Sequence, residues 1–341
     1  MSIATAIQNA QTKVANAYTA ISNKGGTLPA TQDLANMPTA INSINTGGSK
    51  YGCTIDNLLG NIDANGVLQV PADTSGDIVF TGVKDIVDYG LAEKYTWRTN
   101  LTHNVSFPDL ESITGADACY YTFRGCSNIP SISLPKLKNI NSVYACYYMF
   151  SLCSSLTTVS LPELTTVSGT NACYYMFSSC YRITSVSLPK LTTVSADYAC
   201  YYMFSSCSAL TAVSLPELKT VSGNYAFNGL FNLAQELTTI SFPKLNSITP
   251  TSTTTATCAN MFSSCRKLMD IYFNSLTTTS FGSSVAQFNG MFNSSTASTS
   301  GNVNIHFPSN LQSTISGLQG YPNFGATAGR VTLLFDLTAT S

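Results

Sequence analysis

Cysteine is the residue type in this sequence whose number and spacing could support the widest range of chemistry. The 341-residue chain contains eleven cysteines, enough to suggest zinc binding, disulfides or redox work. Eight of them form a grid in which a Cys-x6-Cys pair recurs every 27 residues: Cys119 and Cys126, Cys146 and Cys153, Cys173 and Cys180, Cys200 and Cys207. Common zinc sites use Cys-x2-Cys, and the two histidines, His103 and His306, lie far apart and outside the grid. The sequence therefore predicts neither a metal site nor a cofactor.

The cysteine grid instead favours buried thiols that pack as small apolar groups, some of them donating weakly to carbonyls. Two cysteines of one repeat would lie about 10 Å apart along a helix, which is too far for a disulfide. Bridges between neighbouring repeats remain geometrically open. Thiols at these positions would indicate assembly in a reducing cytoplasm.

A second ladder consists of tyrosine pairs that follow the first cysteine of each repeat. One interpretation is ring-on-ring packing that covers the backbone, and the other is a flat aromatic strip suited to sugar or protein surfaces. The candidate ligand-binding residues are Tyr120, Tyr121, Tyr147, Tyr148, Tyr174, Tyr175, Tyr201 and Tyr202.

Signatures of catalysis and of nucleic-acid binding are absent from the sequence. It contains no Gly-rich phosphate loop, no Gly-x-Ser-x-Gly and no His-Glu-x-x-His, so we expect no catalytic residues. Charged residues make up 10% of the chain and the formal net charge is -1, which supplies no basic field for nucleic acid or anionic membranes. The apolar run Leu333 to Leu337 is too short to insert into a membrane.

Each repeat combines one apolar face with two short strand patterns. Cys173, Met176, Phe177 and Cys180 stand at i, i+3, i+4 and i+7, which is one face of a short helix or helical turn. Alternating β-branched and polar residues then predict two strands separated by a turn at the repeat proline, as in residues 156–167. A 27-residue period of this kind predicts a solenoid of stacked repeats.

The same frame extends beyond the four clean copies. Phe107 and Phe242 hold the pre-proline position of the flanking repeats, and a Thr-rich insertion from Thr249 to Thr257 stretches the next one. A weaker copy contains Phe288, Met291 and Phe292. Residues 330–337 are typical of a last strand, which a solenoid needs to cover its open end.

A ladder of charges accompanies the repeats. The residue after each repeat proline alternates in sign, in the order Asp109, Lys136, Glu163, Lys190, Glu217, Lys244. Adjacent rungs of a β-solenoid lie about 4.8 Å apart, so each charge would stand between two opposite ones. We interpret the ladder as a device that sets register; the alternative is an ordinary solvated face.

The repeat resembles a known family. Its order Leu-x-x-Val-x-Leu-Pro-x-Leu-x-x-Val, followed by a Met-Phe or Ala-Phe pair and Cys-x-x-Leu, is similar to the BspA-type leucine-rich repeats over about Ile78 to Leu337. The resemblance implies stacked short β-strands on one side, short helical turns on the other, and binding or adhesion rather than catalysis. The doubled cysteine and the Tyr-Tyr pair depart from the usual pattern.

The N-terminal segment has a different, helical pattern. Ile3, Ile7, Val14 and Ile21, with two alanines between them, form a narrow apolar seam that we interpret as an assembly seam. The seam either packs on a second predicted helix, Thr31 to Ile44, or associates with another chain. Residues 45–50, with Gly47 and Gly48, are typical of a flexible linker.

The opening residues are also similar to the start of many phage structural proteins, and they show no ordinary secretion signal. The predicted fold class is therefore a leucine-rich-repeat-like solenoid of about 27 residues per repeat behind a small α-helical module. The predicted organisation is a helical assembly or docking module (1–44), a linker (45–50), an N-terminal cap with a first irregular repeat (51–106), the solenoid (107–320), and a C-terminal cap strand with a tail (321–341).

The sequence favours a non-enzymatic phage virion protein, a tail or capsid fibre, that displays the solenoid for adhesion. Its expected partners are other virion proteins through the N-terminal module and a cell-surface glycan or protein, and we expect a homo-oligomer. One alternative is a bacterial BspA-like surface adhesin, located at the cell surface. The other is a self-assembling, filament-forming structural protein.

Overall fold

The computed structural model of the chain is a parallel β-solenoid. It describes residues 14–18, 54–55, 78–81, 84–86, 104–251, 256–277, 286–288, 290–292, 302–317 and 331–338. Each turn of the chain, here called a rung, contributes two short strands and one segment of consecutive turns.

Eighteen strands lie in the described residues. They are β1 (Thr54–Ile55), β2 (Ile78–Thr81), β3 (Asp85–Ile86), β4 (Val105–Ser106), β5 (Ser112–Ile113), β6 (Ile132–Ser133), β7 (Asn139–Ile140), β8 (Thr158–Ser160), β9 (Thr166–Val167), β10 (Ser185–Ser187), β11 (Thr193–Ser195), β12 (Ala212–Ser214), β13 (Thr220–Ser222), β14 (Thr239–Phe242), β15 (Ser247–Thr249), β16 (Asp270–Phe273), β17 (Val303–Pro308) and β18 (Val331–Leu337). Helical structure is confined to residues 14–18, two 3-10 turns (Ala286–Phe288 and Ser309–Leu311) and a short α-helix (Gln312–Gly317) within the same described part.

The strands form two walls of the solenoid. The odd-numbered strands β3 to β15 make one seven-stranded sheet, and the even-numbered strands up to β16, followed by β17 and β18, line the other wall in three sheets. Pairing is parallel throughout except between β1 and β2. Thr166 pairs with Thr193 and Thr193 with Thr220, so the register advances by one 27-residue repeat at each step. The predicted strands on either side of the repeat proline are thus confirmed.

The third wall contains the cysteine and tyrosine positions. Its predicted inward face is confirmed, because Cys173, Met176, Phe177 and Cys180 are at most 1% exposed. The conformation is a run of turns rather than a continuous α-helix. Along it, alternate N–H groups donate to the carbonyl three residues earlier and to a carbonyl of the next rung, as in Met176 N to Cys173 O (3.2 Å) and Phe177 N to Met203 O (2.9 Å). Hydrogen bonds between rungs satisfy donors that a helix would satisfy internally.

Columns of aromatic side chains run through the core. Phe123, Phe150, Phe177, Phe204 and Phe231 stack face to face, with ring centroids 5.3 to 6.1 Å apart. Leucine fills the pre-proline position in the central rungs. At the end of the stack phenylalanines take the equivalent place in the strands, where the Phe307 ring stacks between those of Phe273 and Phe335 at 5.6 and 5.9 Å. Identical residues in successive rungs therefore bury a continuous core, as expected of a solenoid.

Serine and threonine hydroxyls connect the outer edges of the rungs. Thr192 Oγ1 donates to the carbonyl of Thr165 at 3.1 Å, and Thr211 Oγ1 donates to that of Thr184 at 3.1 Å. Part of the hydrogen-bonding capacity of this Ser/Thr-rich surface is therefore satisfied within the fold.

The last three described strands form a longer and less regular end. The register advances by 31 residues from Thr239 to Asp270 and by 34 from Asp270 to Asn304, as expected for insertions between the rungs. β18 is the predicted last strand, and it lies parallel to β17. Its Asp336 accepts a hydrogen bond from Nδ1 of His306 at 2.9 Å, and Nε2 of His306 lies 3.3 Å from Asp270 Oδ1. One histidine thus connects three neighbouring strands.

The predicted solenoid is confirmed, whereas most of the N-terminal prediction lies outside the described residues. Ile3, Ile7 and Ile21 of the assembly seam, the second predicted helix and the linker all fall there. Residues 14–18 are helical, and Val14 is half-buried.

Candidate functional site

The eight predicted tyrosines form two stacked columns on the third wall. We call Tyr120, Tyr147, Tyr174 and Tyr201 the first tyrosine column, and Tyr121, Tyr148, Tyr175 and Tyr202 the second. Ring centroids in the first column are 4.7 to 4.9 Å apart with interplanar angles of 3 to 13°. Those in the second are 4.8 to 5.2 Å apart. The structure therefore brings all eight side chains together on one surface, here called the tyrosine face.

The backbone of the turn wall sets these positions. Tyr121, Tyr148, Tyr175 and Tyr202 all have positive φ, between 50 and 57°. This left-handed conformation costs an L-residue about 1–2 kcal/mol. At each of these positions the N–H donates across to the next rung, as from Tyr148 to Tyr174 O at 2.9 Å and from Tyr175 to Tyr201 O at 2.8 Å. We attribute the tolerance of the strain to these hydrogen bonds and to ring stacking.

Stacking determines which atoms the tyrosine face can offer. Tyr147, Tyr174 and Tyr175 each have a parallel ring on both sides, and Tyr148 has a parallel ring on one side and a ring tilted by 31° on the other. Their ring faces are covered, so a sugar ring cannot lie flat on them. Ring edges and phenol hydroxyls remain for contact, which suits hydrogen bonding better than face-to-face stacking.

The two ends of the second tyrosine column differ. At one end the Arg124 guanidinium lies over the rings of Tyr121 and Tyr148, at 5.2 and 5.7 Å, within the range of a cation–π interaction. At the other end the Tyr202 ring lies over Gly229, where an added Cβ would come within 2.5 Å of the ring. The next rung therefore needs glycine to accommodate this ring.

Several exposed side chains beside the tyrosine columns were missed by the sequence analysis. Tyr144 is 38% exposed and packs its ring edge against Tyr147 at 5.3 Å. Leu152 and Tyr181 are 37% and 48% exposed. Tyr181 stands where neighbouring rungs have serine, whereas Tyr144 recurs as Tyr198 and Tyr225 and Leu152 recurs as Leu233, a periodic signal that sequence reasoning missed. Apolar side chains that interrupt a Ser-rich position would have been the cue.

Burial and crowding of phenols make the tyrosine face sensitive to alkali. Burial, then the neighbouring tyrosines, raise the pKa of Tyr147 to about 12, and the same causes raise the pKa of Tyr174 and Tyr175. A tyrosine in the unfolded chain has a pKa near 10. The stabilisation that these phenols contribute is therefore complete below about pH 10 and is lost as the pH rises through their pKa values in the folded protein.

We therefore expect the repeats to unfold between about pH 10 and pH 12 or above, with tyrosinate forming in the same step. Circular dichroism and near-ultraviolet absorbance, recorded on one titration, measure both. Combined Tyr147→Phe, Tyr174→Phe and Tyr175→Phe substitutions should move the midpoint to higher pH. Complete tyrosinate formation near pH 10 with the fold intact would contradict the prediction.

The eight grid cysteines form two buried columns behind this wall. We call Cys119, Cys146, Cys173 and Cys200 the first cysteine column, and Cys126, Cys153, Cys180 and Cys207 the second. All eight are free thiols and at most 3% exposed. Burial raises the pKa of Cys126 to about 12. The predicted packing of thiols as small apolar groups is confirmed, as is weak donation to carbonyls, since Cys180 Sγ lies 3.2 Å from Phe150 O.

Side chains of the charge ladder form ion pairs between neighbouring rungs, at every second step along the stack. Lys136 contacts Asp109 at 2.9 Å and Lys190 contacts Glu163 at 2.7 Å, with a similar pair between Lys244 and Glu217. The sequence predicted that every charge would lie between two opposite charges. In the described residues each lysine of the ladder makes its ion pair with the acid of the preceding rung.

Charge reversal at Glu163 is expected to have a small effect. The pair with Lys190 is exposed, so Glu163→Lys should lower the free energy of unfolding by about 0.2–1 kcal/mol, with a small added repulsion from the neighbouring lysines. Urea denaturation measures this, and Glu163→Gln provides the neutral control. A loss several times larger would show that the ladder sets register energetically.

Further chemistry is limited in the described part of the chain. His306 is the one histidine there, and both its ring nitrogens face carboxylates while its ring stacks on Tyr272 at 4.2 Å. Among the described residues no group of three or more His, Cys, Asp or Glu side chains is placed to hold a metal ion. No helix among them has the length and apolar character needed to cross a membrane.

Comparison with known proteins supports the repeat assignment. The family model described as "BspA type Leucine rich repeat region" matches residues 117–244 in six copies, which confirms the predicted resemblance for these repeats. The rungs themselves continue on both sides of this range. The likeness of the N-terminal residues to phage proteins stays a prediction.

Two further comparisons are less informative. No curated protein matches the chain. A solved leucine-rich repeat protein from Bacteroides ovatus ATCC 8483 is similar, with 14% sequence identity, 83% of this chain and 88% of that chain covered, and a TM-score of 0.21. A score this low carries no argument about function.

Proposed function

We propose that this chain is a non-enzymatic adhesion protein whose BspA-like solenoid is displayed at a surface and binds through the tyrosine face. The observation that carries the proposal is the alignment of two tyrosine columns over four consecutive rungs, with ring edges and hydroxyls forming the surface. Tyrosine combines a large rigid contact area with a polar tip, which suits it to recognition.

The partner best matched to this surface is rich in hydroxyl or amide groups, such as a cell-surface glycan or a protein. Successive rungs repeat the same phenols at nearly equal spacing, so a repetitive partner could make the same weak contact several times. Multiple copies on one particle would add avidity without a deep pocket.

Removal of phenol hydroxyls tests this function while keeping the stack. The variant carrying Tyr147→Phe, Tyr148→Phe, Tyr174→Phe and Tyr175→Phe should bind immobilised glycans or intact bacterial cells at least about tenfold more weakly. Each lost hydrogen bond contributes about 0.5–1.5 kcal/mol. Tyr181→Phe, at an exposed tyrosine outside the columns, is the matched control. Unchanged binding by the fourfold variant would refute the tyrosine face as the contact surface.

The surface that carries the solenoid is that of a phage virion in our preferred proposal and of a bacterial cell in the alternative. The phage-like opening residues support the first, and the BspA-type repeats support the second at least equally. In either case the N-terminal seam would anchor the chain, as a homo-oligomer or on another protein. Localisation of the chain by immunogold labelling on purified phage particles and on bacterial cells distinguishes the two.

The role of the seam can be tested in the full-length chain by light scattering. Val14 is half-buried in the helical segment and Asn16 is exposed on it. Val14→Asp should dissociate an oligomer, whereas Asn16→Asp should leave it intact. A monomeric wild-type chain would mean that the seam packs within its own chain or on a different protein.

A further inference from the structure

The first cysteine column places one buried thiol at the same position in each of four successive rungs. Neighbouring thiols act on one another: hydrogen bonding to Cys146 raises the pKa of Cys173, and hydrogen bonding to Cys173 raises the pKa of Cys200. A disulfide within this column would join two neighbouring rungs.

The backbone spacing along this column suits a disulfide. Each cysteine N–H donates directly to the next rung, as from Cys119 to Ala145 O at 2.7 Å and from Cys146 to Ala172 O at 2.7 Å. Hydrogen-bonded neighbouring strands lie about 4.8 Å apart. Disulfides join residues whose Cα atoms lie about 4.4–6.8 Å apart, so the spacing of hydrogen-bonded rungs falls in that range.

The second cysteine column is arranged differently. Its thiols donate to main-chain carbonyls of an earlier rung: Cys153 to Phe123 O at 3.2 Å, Cys180 to Phe150 O at 3.2 Å and Cys207 to Phe177 O at 3.4 Å. Bridging two of them would break these hydrogen bonds and leave buried carbonyls with fewer partners. The same residue type at the same period thus has two distinct chemical environments.

We propose that the first cysteine column is a disulfide site, which closes the bridges Cys119–Cys146 and Cys173–Cys200 when the chain folds in an oxidising medium, while the second column stays reduced. Complete pairing of four aligned thiols selects these two bridges, because a central Cys146–Cys173 bridge would leave both end cysteines without a neighbour. Each bridge closes a loop of one repeat and ties two rungs together. This inference is independent of the proposed adhesion.

The chemistry requires a small-molecule disulfide such as oxidised glutathione. One cysteine thiolate attacks it, forms a mixed disulfide and releases one glutathione thiolate; the neighbouring cysteine thiolate then attacks the mixed disulfide and releases the second. The two cysteine protons go to solvent or to the departing thiolates, and the two electrons reside on the reduced glutathione. Burial raises the pKa of the folded thiols, so the reaction belongs to the folding chain, before the rungs close over the column.

The test uses the full chain, refolded from denaturant in a glutathione redox buffer or in excess reductant. Remaining thiols are alkylated in denaturant, and the protein is digested without reduction for mass spectrometry. Cleavage after Glu163 is needed, since no Lys or Arg separates Cys146 from Cys173. We expect Cys119–Cys146 and Cys173–Cys200 bridges with second-column cysteines alkylated. Absence of first-column bridges, or bridges dominated by any other cysteine, would overturn the proposal.

A matched pair of variants provides an independent readout by intact mass. Cys173→Ala should lose one bridge, retain Cys119–Cys146 and leave Cys200 alkylated. Cys180→Ala, at the equally buried second-column position of the same rung, should retain both bridges. Should Cys173→Ala fail to refold, the wild-type bridge map alone decides the matter. Equal loss of bridges in the two refolded variants would contradict the distinction between the columns.

Discussion

Replacing Phe177 with Asp is expected to unfold the central repeats. The Phe177 ring is 1% exposed and stacks between Phe150 and Phe204 at 5.4 and 5.5 Å. Truncation of a buried phenylalanine alone costs about 3–5 kcal/mol. The substitution also buries an unpaired carboxylate, which adds several kcal/mol or forces it to stay protonated. The total is comparable to the whole stability of an ordinary domain, about 5–15 kcal/mol.

Thermal and urea unfolding followed by circular dichroism measure this effect, with two controls. Phe177→Leu keeps an apolar side chain and should cost less than about 2 kcal/mol. Tyr181→Asp places the same charge four residues away on an exposed side chain and should leave the melting temperature nearly unchanged. A Phe177→Asp protein that melts like the wild type would refute the inward face of the turn wall. Because repeats contact only their neighbours, a partial loss confined to the middle rungs would agree with the prediction.

The rung architecture could be predicted because repetition converts weak local signals into a strong one. A single Thr-Val-Ser triplet says little, but β11 and β13 repeat it at the same offset from the repeat proline. The inward positions were also predictable, since Met176 and Phe177 keep their place between two cysteines in successive copies. When such copies stack, these apolar side chains form the core between the walls.

The conformation of the turn wall could not be predicted from local propensity. The i, i+3, i+4 and i+7 pattern is typical of a helix, yet Tyr175 and Ser179 have φ of 52 and 60°. Hydrogen bonds from these residues to Tyr201 and Ser205 of the next rung determine the outcome. They join residues 26 positions apart, so they exist only once neighbouring rungs are stacked.

The candidate site was predictable in its residues but not in its geometry. The sequence placed the tyrosine pairs on one surface and left open whether their rings stack or lie flat outward. The rung spacing decides this, because equivalent rings of the first tyrosine column, 4.7 to 4.9 Å apart, lie face to face. Which atoms remain for a partner therefore depends on tertiary structure. Tyr181 escaped detection because its position holds serine in the neighbouring rungs, whereas Tyr144 recurs as Tyr198 and Tyr225 and could have been detected from the period.

Deletion of β18 is expected to convert a discrete protein into one that associates through its end. β18 pairs with β17 along most of its length, Phe335 covers Phe307, and Asp336 contacts His306. Without it, the β17 edge would present unpaired N–H and C=O groups beside an uncovered apolar core, which is a template for pairing with another chain. Loss of burial at Phe307 and its neighbours should also lower the free energy of unfolding by about 3 kcal/mol or more.

Light scattering over a range of concentrations distinguishes the outcomes. A chain ending after residue 329 should form open, concentration-dependent polymers, because a head-to-tail contact between solenoid ends has no closing symmetry. Removal of residues 339–341 alone keeps β18 and serves as the control. A discrete species after deletion of β18 would show that this strand is not needed to block end-to-end association. Polymers from the intact chain would instead support the filament-forming alternative, since β18 would then be present without preventing the same contact.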